Sequence, residues 1–200
     1  MSKPRRVEAY PAAATPWPQA LEWTRRELEL YLAEAGDPAT WQLPTRCPPW
    51  SVSDLTVHLA ATFQRFADQL AASRRGALDP PFAADELSAQ NLRAVREFRG
   101  DPLRALQTQA LRFLDAADAP DELMSHQFGP IPVGLQMMFG LNELAVHHDD
   151  AAAASGGSYR PAPEVVEALT RMYGAVFGLP EGGDPWERLL RATGRVPAGD

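Results

Sequence analysis

Apolar side chains recur at three- and four-residue spacing through Leu55, Leu59, Phe63, Phe66 and Leu70, the interval of a helix that buries one face. Ser51 and Asp54 precede this stripe with capping-box spacing, and Gly76 follows it, so the pattern predicts a long helix bounded at both ends. An earlier stripe, Trp17, Ala20, Leu21, Thr24, Leu28, Tyr31, Leu32 and Ala35, predicts another, with Gly36 expected as its left-handed cap. A third runs through Leu103, Leu106, Ala110, Phe113, Leu114 and Ala117. Before it stands Gly100-Asp101-Pro102, where Asp101 suits a cap and Pro102 a first helical position, so 82–119 forms either two helices or one kinked helix.

The stretch from Val133 to Val146 differs from these, because it contains no Lys or Arg and is apolar around most of its circumference. Such a helix is buried in a bundle. Apart from Asn142, its polar residues Gln136, Glu143, His147 and Asp150, with Gly140 among them, fall in a strip about 80° wide, which predicts the lining of a pocket. Residues 164–179 and 184–193 predict a further helix and a short one, packed outside the four long elements. Eleven of the 19 prolines cluster at 38–49, 80–81, 120–132 and 161–163, between the helical windows. Proline is excluded from helix interiors, and the windows are rich in Ala, Leu, Arg and Glu, so the chain reads as all-α.

Composition narrows the function classes. A net charge of −7 and no basic run longer than two exclude a phosphate-binding face, so nucleic acid is not an expected partner. No apolar run approaches the roughly 18 residues of a membrane span or the form of a secretory signal, which makes the expected location cytoplasmic. The lone Cys47 cannot form an internal disulfide, in keeping with a reducing compartment. Eighteen Arg against the single Lys3, and 33 Ala against the single Ile131, reflect a G+C-rich genome.

Glu143 and His147, four residues apart, place their Cβ atoms roughly 6 Å from one another, close enough to share one ion. His58, about 60° beyond Leu55 on its own helix, is the candidate third ligand. Two histidines and a carboxylate leave an open coordination position, which suits zinc and also iron, nickel or manganese. The alternative from spacing alone is a border histidine and an ordinary helical hydrogen-bonded pair. Asp150, one turn beyond His147, is expected to orient it as a hydrogen-bond acceptor, and Gln136 to face the pocket. His148 lies about 100° round the helix from His147 and is expected to pack elsewhere. His126 is expected in a solvated loop or lid, Trp50 as a staple of the second long helix, and Cys47 as a packed turn residue without chemistry.

The segment Thr45-Arg46-Cys47-Pro48-Pro49-Trp50-Ser51-Val52-Ser53-Asp54-Leu55, with His58-Leu59 after it, resembles the Cys-Pro-Gly-Trp-Thr-Val-x-Asp-Leu-x-x-His-Leu stretch of the mycothiol-dependent maleylpyruvate isomerase family, in the DinB/YfiT-like superfamily. Glu143-Leu144-Ala145-Val146-His147-His148-Asp149-Asp150 is similar to the family's second such stretch, and Arg188 to Pro197 to the close of an actinobacterial branch. The resemblance implies a DinB-like four-helix bundle with extra C-terminal helices. It places a flexible segment at 1–14, a metal-binding bundle at 15–160 and a helical extension at 161–200. It also implies a divalent metal on His58, Glu143 and His147, and mycothiol as co-substrate for S-transfer or cis–trans isomerisation of a small electrophile, in a monomer or homodimer. Asp149 stands where the family usually has Trp, which is expected to change the pocket wall, and the family's additional C-terminal domain is expected to be absent. Metal-assisted hydrolysis and a non-catalytic ligand-binding or sensor bundle are the alternatives.

Overall fold

A computed structural model of the protein describes residues 15–179 and 181–195. The segment 1–14, expected to be flexible, and Pro197 lie outside them. The chain forms seven α-helices among the described residues: α1 Trp17–Glu34, α2 Val52–Ser73, α3 Leu87–Glu97, α4 Pro102–Ala116, α5 Val133–Ala154, α6 Pro163–Val176 and α7 Pro185–Ala192. Helices α1, α2, α4 and α5 make the bundle, with α2 packed most extensively on α4 and α1 on α5. None of the helices is long and apolar enough to cross a membrane.

The hydrophobic stripes explain the packing. Leu55, Leu59, Phe63, Phe66 and Leu70 of α2 are all buried, and Phe63 and Phe66 meet Phe113 of α4 with ring centroids 6.2 and 5.6 Å away. The Ser51 hydroxyl accepts the Asp54 N–H while the Asp54 carboxylate accepts the Ser51 N–H, a complete capping box. The third stripe resolves into two helices, α3 and α4, and Asp101 caps the second by accepting the N–H groups of Leu103 and Arg104. Helix α5 is buried on nearly every side, as its lack of cationic residues requires.

Three local expectations are corrected. Gly36 is not left-handed; α1 ends in a right-handed turn, and Asp37 instead caps the single 3-10 turn Pro38–Thr40. The proline-rich stretch before α5 is not only loop. Its backbone closes a small antiparallel hairpin, β1 Leu123–Met124 with β2 Ile131–Pro132, turning through Gly129 at φ +94°. Gly140 faces Phe63, not a pocket: a Cβ there would lie 3.2 Å from the Phe63 ring, so the missing side chain lets α5 approach α2 closely. That close approach determines how the polar side chains of the two helices meet.

Candidate metal centre

His58 on α2 and Glu143 with His147 on α5 converge at the α2–α5 interface. His58 Nε2 stands 3.3 Å from Glu143 Oε2, and His147 Nε2 stands 3.4 Å from the same oxygen. One donor atom from each of the three lies within 4.8 Å of the other two. Both imidazoles are buried, while the Glu143 side chain is 34% exposed and opens onto a cavity of about 500 Å³.

Donors bound at about 2.0–2.1 Å to a tetrahedral ion lie about 3.4 Å apart. The two separations from Glu143 Oε2 are those of long hydrogen bonds and are also close to that figure, so the donor set and its spacing fit a divalent ion.

Each ring is oriented by its surroundings. Asp150, fully buried, accepts from His147 Nδ1 at 2.9 Å, which leaves Nε2 directed at Glu143. Trp50, at the entry to α2, stacks on His58 with centroids 4.6 Å apart, so it also supports a candidate ligand. Burial pulls the His58 imidazole below its ordinary pKa, although the Glu143 hydrogen bond opposes it. Burial acts on His147 in the same direction, but hydrogen bonds with Asp150, Cys47 and Glu143 outweigh it and raise its pKa to about 10. Glu143 is held well below the usual carboxylate range: burial pushes it up, and the hydrogen bonds from His147 and His58 more than compensate.

Sequence reasoning missed Arg195, which follows α7 and reaches into this centre. Its Nε donates to Asp150 at 3.1 Å and its Nη2 lies 3.0 Å from Cys47 Sγ. Cys47 in turn donates to Asp150 at 3.1 Å and lines the cavity. The lead-in turn to α2 thus delivers Cys47, expected as a packed turn residue, to the Asp150–His147 pair. Cys47, His147 and Asp150 also form a second cluster of potential ligands within 4.8 Å. The Arg195 guanidinium already places a cation against all three of its members, which disfavours a metal ion there. Cys47→Ser preserves a donor to Asp150, so it is expected to fold and to keep activity within about tenfold. A loss beyond about a hundredfold at an unchanged melting temperature would instead assign Sγ as a nucleophile.

The other expected residues are placed as follows. Gln136 lines the cavity with no exposed surface. His148 turns away and stacks on Tyr159 at 3.5 Å, beside a buried Glu27 whose carboxylate accepts the Tyr159 hydroxyl at 2.6 Å. His126 is not solvated: the hairpin carries it into the cavity wall, where it is buried against Phe128 and Phe139. Asp149 is not among the cavity-lining residues. It pairs with Arg46 and accepts the Tyr159 N–H at 3.2 Å, tying the turn before α2 and the chain after α5 to the bundle. Tyr173 and Phe177 of the α6 region and Arg195 complete the wall, so the C-terminal helices contribute to the cavity.

An all-α bundle whose facing helices present two histidines and a carboxylate to a walled cavity has the architecture of a small-molecule-binding helical-bundle protein. Sequence comparison gives its family. The model of the family described as mycothiol maleylpyruvate isomerase N-terminal domain matches residues 24–152, and the chain belongs to that family. Two solved structures are similar to it, one of the mycothiol-dependent maleylpyruvate isomerase and one of a histidine-to-alanine mutant of that enzyme. They superpose with TM-scores of 0.64 and 0.63 at 15% identity, covering 83% of this chain and 71% of theirs. At that identity the likeness shows a shared fold. No curated protein matches the chain in sequence.

Proposed function

We propose that the chain is a metal-dependent enzyme in which His58, Glu143 and His147 hold a divalent ion, zinc in the first place, with nickel, iron or manganese as alternatives. Its co-substrate is a low-molecular-weight thiol, mycothiol, and its reaction is S-transfer to a small electrophile or cis–trans isomerisation of one. The observation that carries this reading is the three-donor cluster at ion-bridging separations, opening onto the cavity. Membership of a mycothiol maleylpyruvate isomerase domain family supports the choice of thiol.

When bound, a zinc-type ion supplies Lewis acidity that deprotonates a thiol at neutral pH. The protein's residues prepare the place for it. Glu143 contributes the only negative charge of the donor set, so a divalent ion keeps a net positive charge and attracts an anionic partner. Asp150 fixes the His147 tautomer, Trp50 fixes the His58 ring plane, and aromatic side chains line the cavity beside them.

Cobalt substitution tests the proposal. The Co²⁺ protein is expected to develop an intense sulfur-to-metal charge-transfer band when mycothiol or a surrogate thiol is added, because a thiolate donates directly into the ion. An unchanged spectrum at saturating thiol, with hydrolysis of a test ester or amide, would replace the thiol reading with water activation. An unchanged spectrum without turnover would leave a binding module.

A further inference from the structure

The triad occupies one end of the cavity, and the opposite end has a chemistry of its own. Seven residues along α2 from His58 stands Arg65, and seven residues back along α5 from Glu143 stands Gln136; both line the cavity. His58 meets Glu143 while Phe63 meets Gly140, so the two helices run antiparallel. Two helical turns on each, a rise of about 10 Å, therefore bring Arg65 and Gln136 to the same side of the triad.

Neither side chain is fully satisfied there. Arg65 Nη1 donates to Asn91 Oδ1 and Nη2 to Thr62 Oγ1, each at 3.2 Å, and the guanidinium lies over the Phe82 ring, 5.9 Å from its centroid, so its partners are all neutral. Its Nε is buried and without a hydrogen-bond partner, as are both amide atoms of Gln136, a residue with no exposed surface. Burial pulls the Arg65 guanidinium below its ordinary pKa, opposed only by the more distant Glu143. His126 adds a third donor. Its Nδ1 accepts the Phe128 N–H at 3.3 Å, which assigns the proton of the neutral ring to Nε2, and burial followed by the nearby Arg65 lowers its pKa to about 4. A half-buried guanidinium, a free amide and a neutral imidazole N–H, framed by phenylalanine rings, match a carboxylate: two acceptor oxygens on a flat group that a guanidinium fork can hold.

We propose that Arg65 and Gln136 form a specificity-determining subsite that recognises the carboxylate of a small organic acid, about 10 Å from the triad. The assignment of the reacting end rests on the metal reading above; the anion preference of the far end does not. The probe pair is 4-phenylbutyrate and its neutral counterpart 4-phenylbutanamide, titrated calorimetrically into the protein as isolated. The carboxylate is expected to bind at least about tenfold more tightly than the amide. Arg65→Gln should reduce that preference below about threefold, and Gln136→Glu, which nearly preserves shape and places a charge against Arg65, should do the same. If Arg65→Gln fails to fold, Gln136→Glu and Arg65→Lys carry the test, the latter keeping charge but losing the fork. The preference should survive in His147→Ala. A preference unchanged in Arg65→Gln or Gln136→Glu but lost in His147→Ala would seat the carboxylate at the triad and overturn the subsite while leaving the metal reading intact. Equal binding of the two probes, or binding of neither, also overturns it. A preference that depends on Arg65 in protein that retains no metal would uphold the subsite and defeat the metal reading alone.

Discussion

His147→Ala is expected to abolish metal retention. His147 supplies one of three donors, and its Nε2 lies 3.4 Å from Glu143 Oε2, so its loss leaves two ligands on separate helices. Loss of a supporting hydrogen bond alone typically costs about 10–100-fold in metal affinity, so removal of a ligand should exceed a hundredfold. Elemental analysis after dialysis should show about one ion per chain in the parent protein and a negligible amount in the variant. Glu143→Gln should behave alike, because it removes the only charge of the donor set while nearly preserving its shape. Retention of the parent stoichiometry in both variants would show that the ion, if one binds, is held elsewhere.

Asp150→Ala is expected to have the largest effect on stability. The carboxylate has no exposed surface and accepts from His147, Arg195 and Cys47, with Arg46 Nε 3.7 Å from its other oxygen. Its removal strands the Arg195 guanidinium and His147 Nδ1 around an emptied position, while Arg46 keeps its pair with Asp149. Breaking a buried charged pair in this way costs about 3–5 kcal/mol, which for a chain of this size lowers the melting temperature by roughly 10 °C. Metal affinity should fall by about 10–100-fold as well, since the His147 ring loses the acceptor that fixes its tautomer. A thermal melt and a metal titration of the same variant measure both effects. A melting temperature within about 2 °C of the parent would show that the network is not cooperative.

What the sequence revealed depended on whether a property leaves a local trace. Helix positions and buried faces do: the α2 stripe, the Ser51–Asp54 cap and the charge-free α5 were legible because periodicity and capping are encoded within about one to three turns. The juxtaposition of His58 with Glu143 and His147 was also approachable, since two partners share a helix face and the third borders a core stripe. Arg195 was not. It follows a short C-terminal helix and lies 48 residues from His147, and no periodicity links an isolated arginine to a distant bundle helix. The same holds for Tyr159 on Glu27 and Arg46 on Asp149, pairs separated by 132 and 103 residues. His126 was misplaced because a hairpin of two residues per strand is too short to produce an alternating pattern. Gly36 was misread because glycine after a helix permits a left-handed cap without requiring one.

X-ray absorption at the metal edge of the zinc-loaded protein tests the central claim most directly, because it counts ligand types. Two imidazole nitrogens and a carboxylate oxygen are expected at about 2.0–2.2 Å, with no sulfur, and one new sulfur at about 2.3 Å once thiol is added. A sulfur at that distance before any thiol is present would place the ion on Cys47, His147 and Asp150 instead, and would contradict the assignment to His58, Glu143 and His147.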